Sequence, residues 1–149
     1  LYRSHHDYRS STMRRLDSFM AAAAELGMTV TITHEADVDG HHLSPEEVAI
    51  LRRPTGERPT AAVCWMDLSA HQLLAHCAAN GLQVPGDLAI VGFDGIPQRI
   101  QPRRSLTTVR APWSAVAAKA VESLLVLLNG ETVENEYCFP VELIVGDTT

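Results

Sequence analysis

Apolar residues recur along this chain in two rhythms, a helical spacing and a strand-like alternation or short continuous run. A strand-like stub opens the sequence. Ser11 and Thr12 then stand where they can cap a helix whose Leu16, Phe19, Ala23 and Leu26 share one face, and Gly27 stops it. Residues 29–33 (TVTIT) alternate like a strand, and the polar loop HEADVDGHHL follows. Ser44-Pro45-Glu46-Glu47 is a capping box with proline at the first helical position, predicting a short helix toward Leu51. Residues 60–65 (TAAVCW) predict a buried strand. Asp67 is placed to cap a helix over 68–79, and Asn80-Gly81-Leu82 closes it in a Schellman-type end.

Residues 88–93 predict a second buried strand. Strand, helix and strand in so few residues form a βαβ unit with parallel strands and a right-handed crossover. The Pro- and Arg-rich segment IPQRIQPRRS then reads as a crossing linker, and LTTV as another short strand. Pro112 opens and Gly130 closes a long helix in which Trp113, Val116, Ala117, Ala120, Leu124, Leu127 and Leu128 form an apolar stripe. Residues 139–145 predict a last strand. The pattern as a whole is α/β with a mostly parallel sheet.

Composition narrows the picture further. The 149 residues suffice for one domain with a real core, and 46% hydrophobic with 20% charged residues is ordinary for a soluble globular chain. No apolar run approaches the ~20 residues a membrane span needs. Leu1 is not an initiator methionine, so the chain reads as a fragment. A net charge of −6 argues against nucleic-acid binding through a basic face of this piece. Cys64, Cys77 and Cys138 form no CxxC pair and sit in apolar contexts, which reads as buried free thiols in a reducing cytosol.

Candidate chemistry gathers at strand ends. Open parallel sheets present ligands at the carboxyl ends of their strands, and Trp65 and Asp94 end the two strands of the βαβ unit. A carboxylate accepting hydroxyl protons beside an indole face suits a polyhydroxylated ring. The alternative is that Asp94-Gly95 is only a turn and Trp65 only core. Arg14 and Arg15 stand in the first turn of the first helix, where the helix dipole disfavours cations, with Arg9 just upstream. They read either as a fork for hydroxyls or an acidic group, or as solvated arginines, the reading preferred for Arg14. The loop with Glu35, Asp37, Asp39, Gly40 and Glu46 departs from a calcium loop at its first position and at Pro45. No metal-ligand set, P-loop or nucleophile motif stands out, so neither metal nor cofactor is expected.

The stretch PTAAVCWMDLSAHQLLAHCAANGLQVPGDLAIVGFDGIP, followed by LTTVRAP and a proline-started helix, resembles the lactose-repressor (LacI/GalR) family of bacterial transcription regulators. The closing PVELIVGDTT fits that family's C-terminal strand and tail. The likeness is specific over residues 59–149, extends to RSSTMRRLDSFMAAAAEL, and is poor over 30–58. It implies a periplasmic-binding-protein-like core of type I, an open parallel sheet flanked by helices, with effector held between two subdomains. Residues 1–104 and 131–149 would belong to the C-terminal subdomain, and 105–130 would be a crossing segment of the N-terminal one. The family's helix-turn-helix lies outside this chain.

Carried over by residue, the resemblance makes Asp94 the effector-binding aspartate of VGFD and Arg15 the effector-binding arginine. Arg9 and Ser11 match effector contacts of the purine-responsive branch. Met66 stands in place of the usual asparagine before Asp67, which removes one polar contact. The implied protein is a cytoplasmic homodimer that senses a small molecule, a sugar being the commonest effector, and holds operator DNA through its N-terminal domain. A periplasmic sugar-binding protein of a transporter shares the fold and is the competing reading. An α/β enzyme is a third, opposed by the lack of an assembled nucleophile or general base.

Overall fold

The structure, a computed structural model, describes residues 1–4, 10–35, 43–96 and 104–149. Its elements run β1 (Tyr2–Ser4), α1 (Ser10–Glu25), β2 (Ile32–His34), α2 (Pro45–Leu51), β3 (Ala61–Cys64), α3 (Asp67–Ala79), β4 (Ala89–Asp94), β5 (Thr107–Arg110), α4 (Trp113–Leu128) and β6 (Glu142–Ile144). The strands form one sheet in the order β2-β1-β3-β4-β5-β6. β1 to β5 pair in parallel, and β6 returns antiparallel to β5. The βαβ unit β3-α3-β4 is present in register, with Ala61 beside Ala89 and Val63 beside Val91.

Local sequence accounts for most element ends. Ser44 donates its N–H to Glu47 Oε2 at 2.7 Å and accepts the Glu47 N–H at 3.1 Å, completing the expected capping box. At the far end of α3, Leu82 N bonds to Cys77 O at 3.0 Å around Gly81 at φ +73°, a Schellman closure. Other ends move. α1 begins at Ser10, so Arg14 and Arg15 stand in its second turn rather than its first. The strand expected over 29–33 is Ile32–His34, because Met28 N is still bound to Ala23 O in the closing turn of α1.

The core lies between the sheet and α3. Ala70, Leu73, Leu74 and Cys77 pack with Ala62, Cys64, Leu88 and Ile90. Leu73 and Leu74 are 1% and 3% exposed, and each such burial contributes about 1.5–3 kcal/mol. This engages almost the whole apolar arc of α3; Ala78 alone stays exposed. His71 is buried as well.

A buried ion network joins β1 to the helices behind it. Arg3 has no solvent exposure and donates from Nε to Glu47 Oε1 at 2.6 Å. Its Nη1 donates to Glu35 Oε1 at 2.9 Å, to Ser69 O at 3.1 Å and to Gln72 Oε1 at 3.0 Å. Glu35, part of the calcium-like loop in the sequence, is thus engaged by an arginine. Asp37, Asp39 and Gly40 lie outside the described residues.

The C-terminal tail is sewn into the sheet. The buried Thr148 donates from Oγ1 to Ile90 O at 2.7 Å, accepts from Thr107 N at 2.9 Å, and its carbonyl accepts from Ile90 N at 2.8 Å. Residues 107–110 form β5, paired in parallel with β4 in the same sheet. One sequence expectation needs correction here. Cys138 is exposed, unlike the buried Cys64 and Cys77, because it follows the exposed helix α4. Among the described residues α4 buries none of its side chains, and no helix is long and apolar enough to cross a membrane.

Candidate functional site

Parallel pairing of β1, β3 and β4 brings their carboxyl ends to one edge, and α1 starts above it. The site is built from what these ends present. Trp65 follows β3, Asp94 ends β4, and Arg15 reaches down from α1. Arg15 Nη1 donates to the Trp65 carbonyl at 2.6 Å, its Nη2 lies 3.6 Å from Asp94 Oδ1, and its guanidinium carbon stands 3.8 Å from the centre of the Phe93 ring. Stacking and a carbonyl bond fix the arginine plane before any ligand arrives. Arg15, Trp65 and Asp94 are therefore gathered in one place. Arg14 is not part of this cluster's polar contacts; it is mostly solvated and pairs with Glu136. Arg9 lies outside the described residues. For Ser11 only its place in the helix is described.

Beside the cluster lies a cavity of about 840 Å³, walled by Arg15, Trp65 and Phe93 together with Tyr2, Phe19, Val116, Tyr137 and Phe139. That volume is ample for a small molecule, and the lining is largely aromatic and apolar with few polar groups. Trp65 is half-buried and lines this space. The Tyr2 ring packs on Phe19 with centroids 5.0 Å apart, and its buried hydroxyl has no hydrogen-bond partner among the described residues. Nothing in the sequence pattern marks Tyr2, because an apolar-looking strand position conceals which face it serves.

Asp94 lines neither of two neighbouring cavities. Its neighbours Phe93 and Gly95 line the large cavity and a second one of about 270 Å³. Its backbone has φ +115°, a left-handed conformation that is strained for any residue with a Cβ and costs roughly 1–3 kcal/mol. Such strain persists where surrounding contacts over-determine it. The Asp94 carbonyl accepts from Trp113 Nε1 at 2.8 Å and from Ala111 N at 3.3 Å. Burial pushes the Asp94 carboxyl up to about 6, Arg15 pulls it back, and Asp67 adds to the rise. The group therefore changes charge close to neutral pH.

Asp67 corrects the sequence reading. The N-cap of α3 is Met66, with no side-chain cap bond, and Asp67 is the first helical residue. Its carboxylate turns away from its own helix and accepts from Ile96 N at 2.8 Å and Thr108 Oγ1 at 2.5 Å. Cys64 also lines the large cavity. Burial pushes Cys64 to about 12 and Cys77 to about 11, which leaves both as inert thiols.

The carboxyl edge of the parallel strands thus carries an arginine, an aspartate and an aromatic-lined cavity. The model of the periplasmic binding protein-like domain matches residues 1–149. Over 109 residues, 70% of this chain and 30% of the relative, it is 38% identical to the arabinose metabolism transcriptional repressor of Geobacillus stearothermophilus. Over 122 residues, 82% of this chain and 36% of the relative, it is 32% identical to the transcriptional repressor PurR of Photobacterium profundum. The solved lac repressor dimer, bound to operator and an anti-inducer, superposes with a TM-score of 0.80 at 22% identity, covering 99% of this chain and 51% of that one. The chain belongs to the periplasmic binding protein-like family and is a LacI/GalR-type effector-binding domain. It spans about a third of the length of these curated relatives.

Proposed function

We propose that this chain is the ligand-binding part of a LacI-type transcription regulator. In this reading it takes a small effector, a sugar, at the carboxyl edge of the sheet, and effector occupancy controls operator binding through a DNA-binding segment outside the chain. The observation that carries the reading is the convergence of Arg15, Asp94 and Trp65 beside the aromatic-lined cavity. Asp94 would accept hydroxyl protons, Arg15 would donate to ring or hydroxyl oxygens, and Trp65 would cover an apolar sugar face. Arg9 and Ser11 remain proposed contacts from the resemblance alone. The name of the arabinose-metabolism relative supports a sugar; the purine repressors among the relatives keep nucleobases in the test. A protein with this role works in the cytoplasm and carries out no catalysis.

The two-subdomain assignment is also proposed, with the crossing beginning after Arg110 because β5 belongs to the sheet. The largely exposed apolar residues of α4, among them Trp113, Leu124, Leu127 and Leu128, support packing against the rest of the protein. A homodimer is proposed from family membership, but the buried arc of α3 gives it no added support, and His71 is no outward probe of it. The experiment is a thermal-shift screen of the intact protein with pentoses, hexoses, sugar phosphates and purine bases. A true effector raises stability by mass action. Stabilisation by purines and not by sugars would reassign the effector, and stabilisation by none would remove the reading.

A further inference from the structure

We infer that Asp67 is a positioning residue for Asp94: from the first turn of α3 its carboxylate fixes the turn after β4, and with it the left-handed backbone that keeps Asp94 beside Arg15. The inference rests on the reading of Asp94 as an effector ligand and extends it to a residue that does not line the large cavity.

Three elements meet at this carboxylate. Asp67 is 2% exposed. Its Oδ2 accepts from Ile96 N, two residues beyond Asp94, and its Oδ1 accepts from Thr108 Oγ1 on β5. A carboxylate can serve both donors at once, whereas an amide has one accepting oxygen. The neighbouring glycines show how closely the turn is packed. A Cβ on Gly92 would collide with Asp67 Oδ1, and a Cβ on Gly95 would lie 2.6 Å from Arg110 Cβ. On the other side the Asp94 carbonyl is held by Trp113 and Ala111. Asp94 is thus clamped from both directions, the condition under which a strained residue persists. The Asp67 charge also favours the protonated form of Asp94.

The test is carbon-detected NMR on the intact, ligand-free protein, following the Asp94 carboxyl and Cα through a pH titration. It reads the positioning directly and is independent of whether any effector binds Asp94. The charged groups bearing on Asp94 are Arg15 from α1 and Asp67 from α3, with Arg110 its ladder partner on β5, itself 3.8 Å from Glu142. Asp67→Asn is expected to lower the Asp94 midpoint as a like charge is removed, and to move its Cα resonance. Arg15→Ala should move the midpoint the opposite way. Thr108→Val, which cuts one of the two bonds and leaves the charge, should move the Cα resonance, and Thr108→Ser should restore it. A merely structural Asp67 would lower the melting temperature and leave the Asp94 Cα resonance in place, which overturns the inference. Should Asp67→Asn fail to fold, the Thr108 pair decides: an Asp94 Cα unmoved in Thr108→Val overturns it equally.

Discussion

Arg15 and Asp94 face each other across 3.6 Å, outside hydrogen-bond reach and within ion-pair range, while Arg15 makes its short bond to the Trp65 carbonyl instead. The two charges are close enough to tune each other and far enough apart to leave both able to bind a third group. A hydroxyl that donates to Asp94 and accepts from Arg15 would complete the set, and this relation underlies the proposed effector clamp.

The pH dependence follows from Asp94. Its carboxyl is raised from the ordinary value of 3.8 to about 6. A raised carboxyl contributes stability that is full below the unfolded value and is lost as pH rises through about 6. Asp94→Asn should therefore gain about 1–2 kcal/mol relative to the parent at pH 7.5 and little at pH 3.5. Effector hydroxyls need the ionised form, so affinity should fall as pH drops below about 6. Urea melts and calorimetry at several pH values check both; a stability difference independent of pH would contradict the burial argument.

The Arg3 network should be costly to break from one side. Arg3→Met removes the buried guanidinium that Glu35 and Glu47 share, and the expected loss is about 3–5 kcal/mol. A chemical-denaturation midpoint unchanged in Arg3→Met would mean that these carboxylates find other partners.

Core and exposed apolar residues should separate cleanly. Leu73→Ala, at a position 1% exposed, should cost about 2–5 kcal/mol. Leu124→Ala, at 55% exposure, should cost little in this chain alone. Equal losses at both positions would show that α4 is covered within this chain.

Trp65 should report occupancy, since it lines the cavity. Saturating effector is expected to change fluorescence in the parent protein and to change it much less in Trp65→Phe. Trp113 is a poor residue to remove as a control, because its indole N–H holds the Asp94 carbonyl. An identical change in Trp65→Phe would return Trp65 to a packing role.

Much of this architecture is legible in the sequence because local signals and the fold agree. The capping box at Ser44, the Schellman end at Gly81 and the apolar runs of β3 and β4 each act over a few residues, and the parallel pairing follows from the helix between them. Asp94 and Trp65 were legible as strand-end residues for the same reason. What escaped depends on distant partners. Arg3 lies in a strand stub and gives no sign of being buried until Glu35, Glu47 and Gln72 close around it. Asp67 has the chemistry of an N-cap, and only the proximity of Ile96 and Thr108 redirects it. The apolar positions of α3 pack on the sheet beneath them, a pairing that spacing within the helix does not specify. His71 shows the converse, a polar residue whose burial no periodicity reveals.

The central claim is that an effector is held at the carboxyl edge of the sheet by Arg15 and Asp94. Isothermal calorimetry with the best stabilising sugar from the thermal-shift screen, on the intact protein and on Asp94→Ala and Arg15→Ala, tests it most directly. The account expects each variant to stay folded and to bind about 1.5–3 kcal/mol more weakly, the range for hydrogen bonds to charged groups. Unchanged affinity in both folded variants would contradict it.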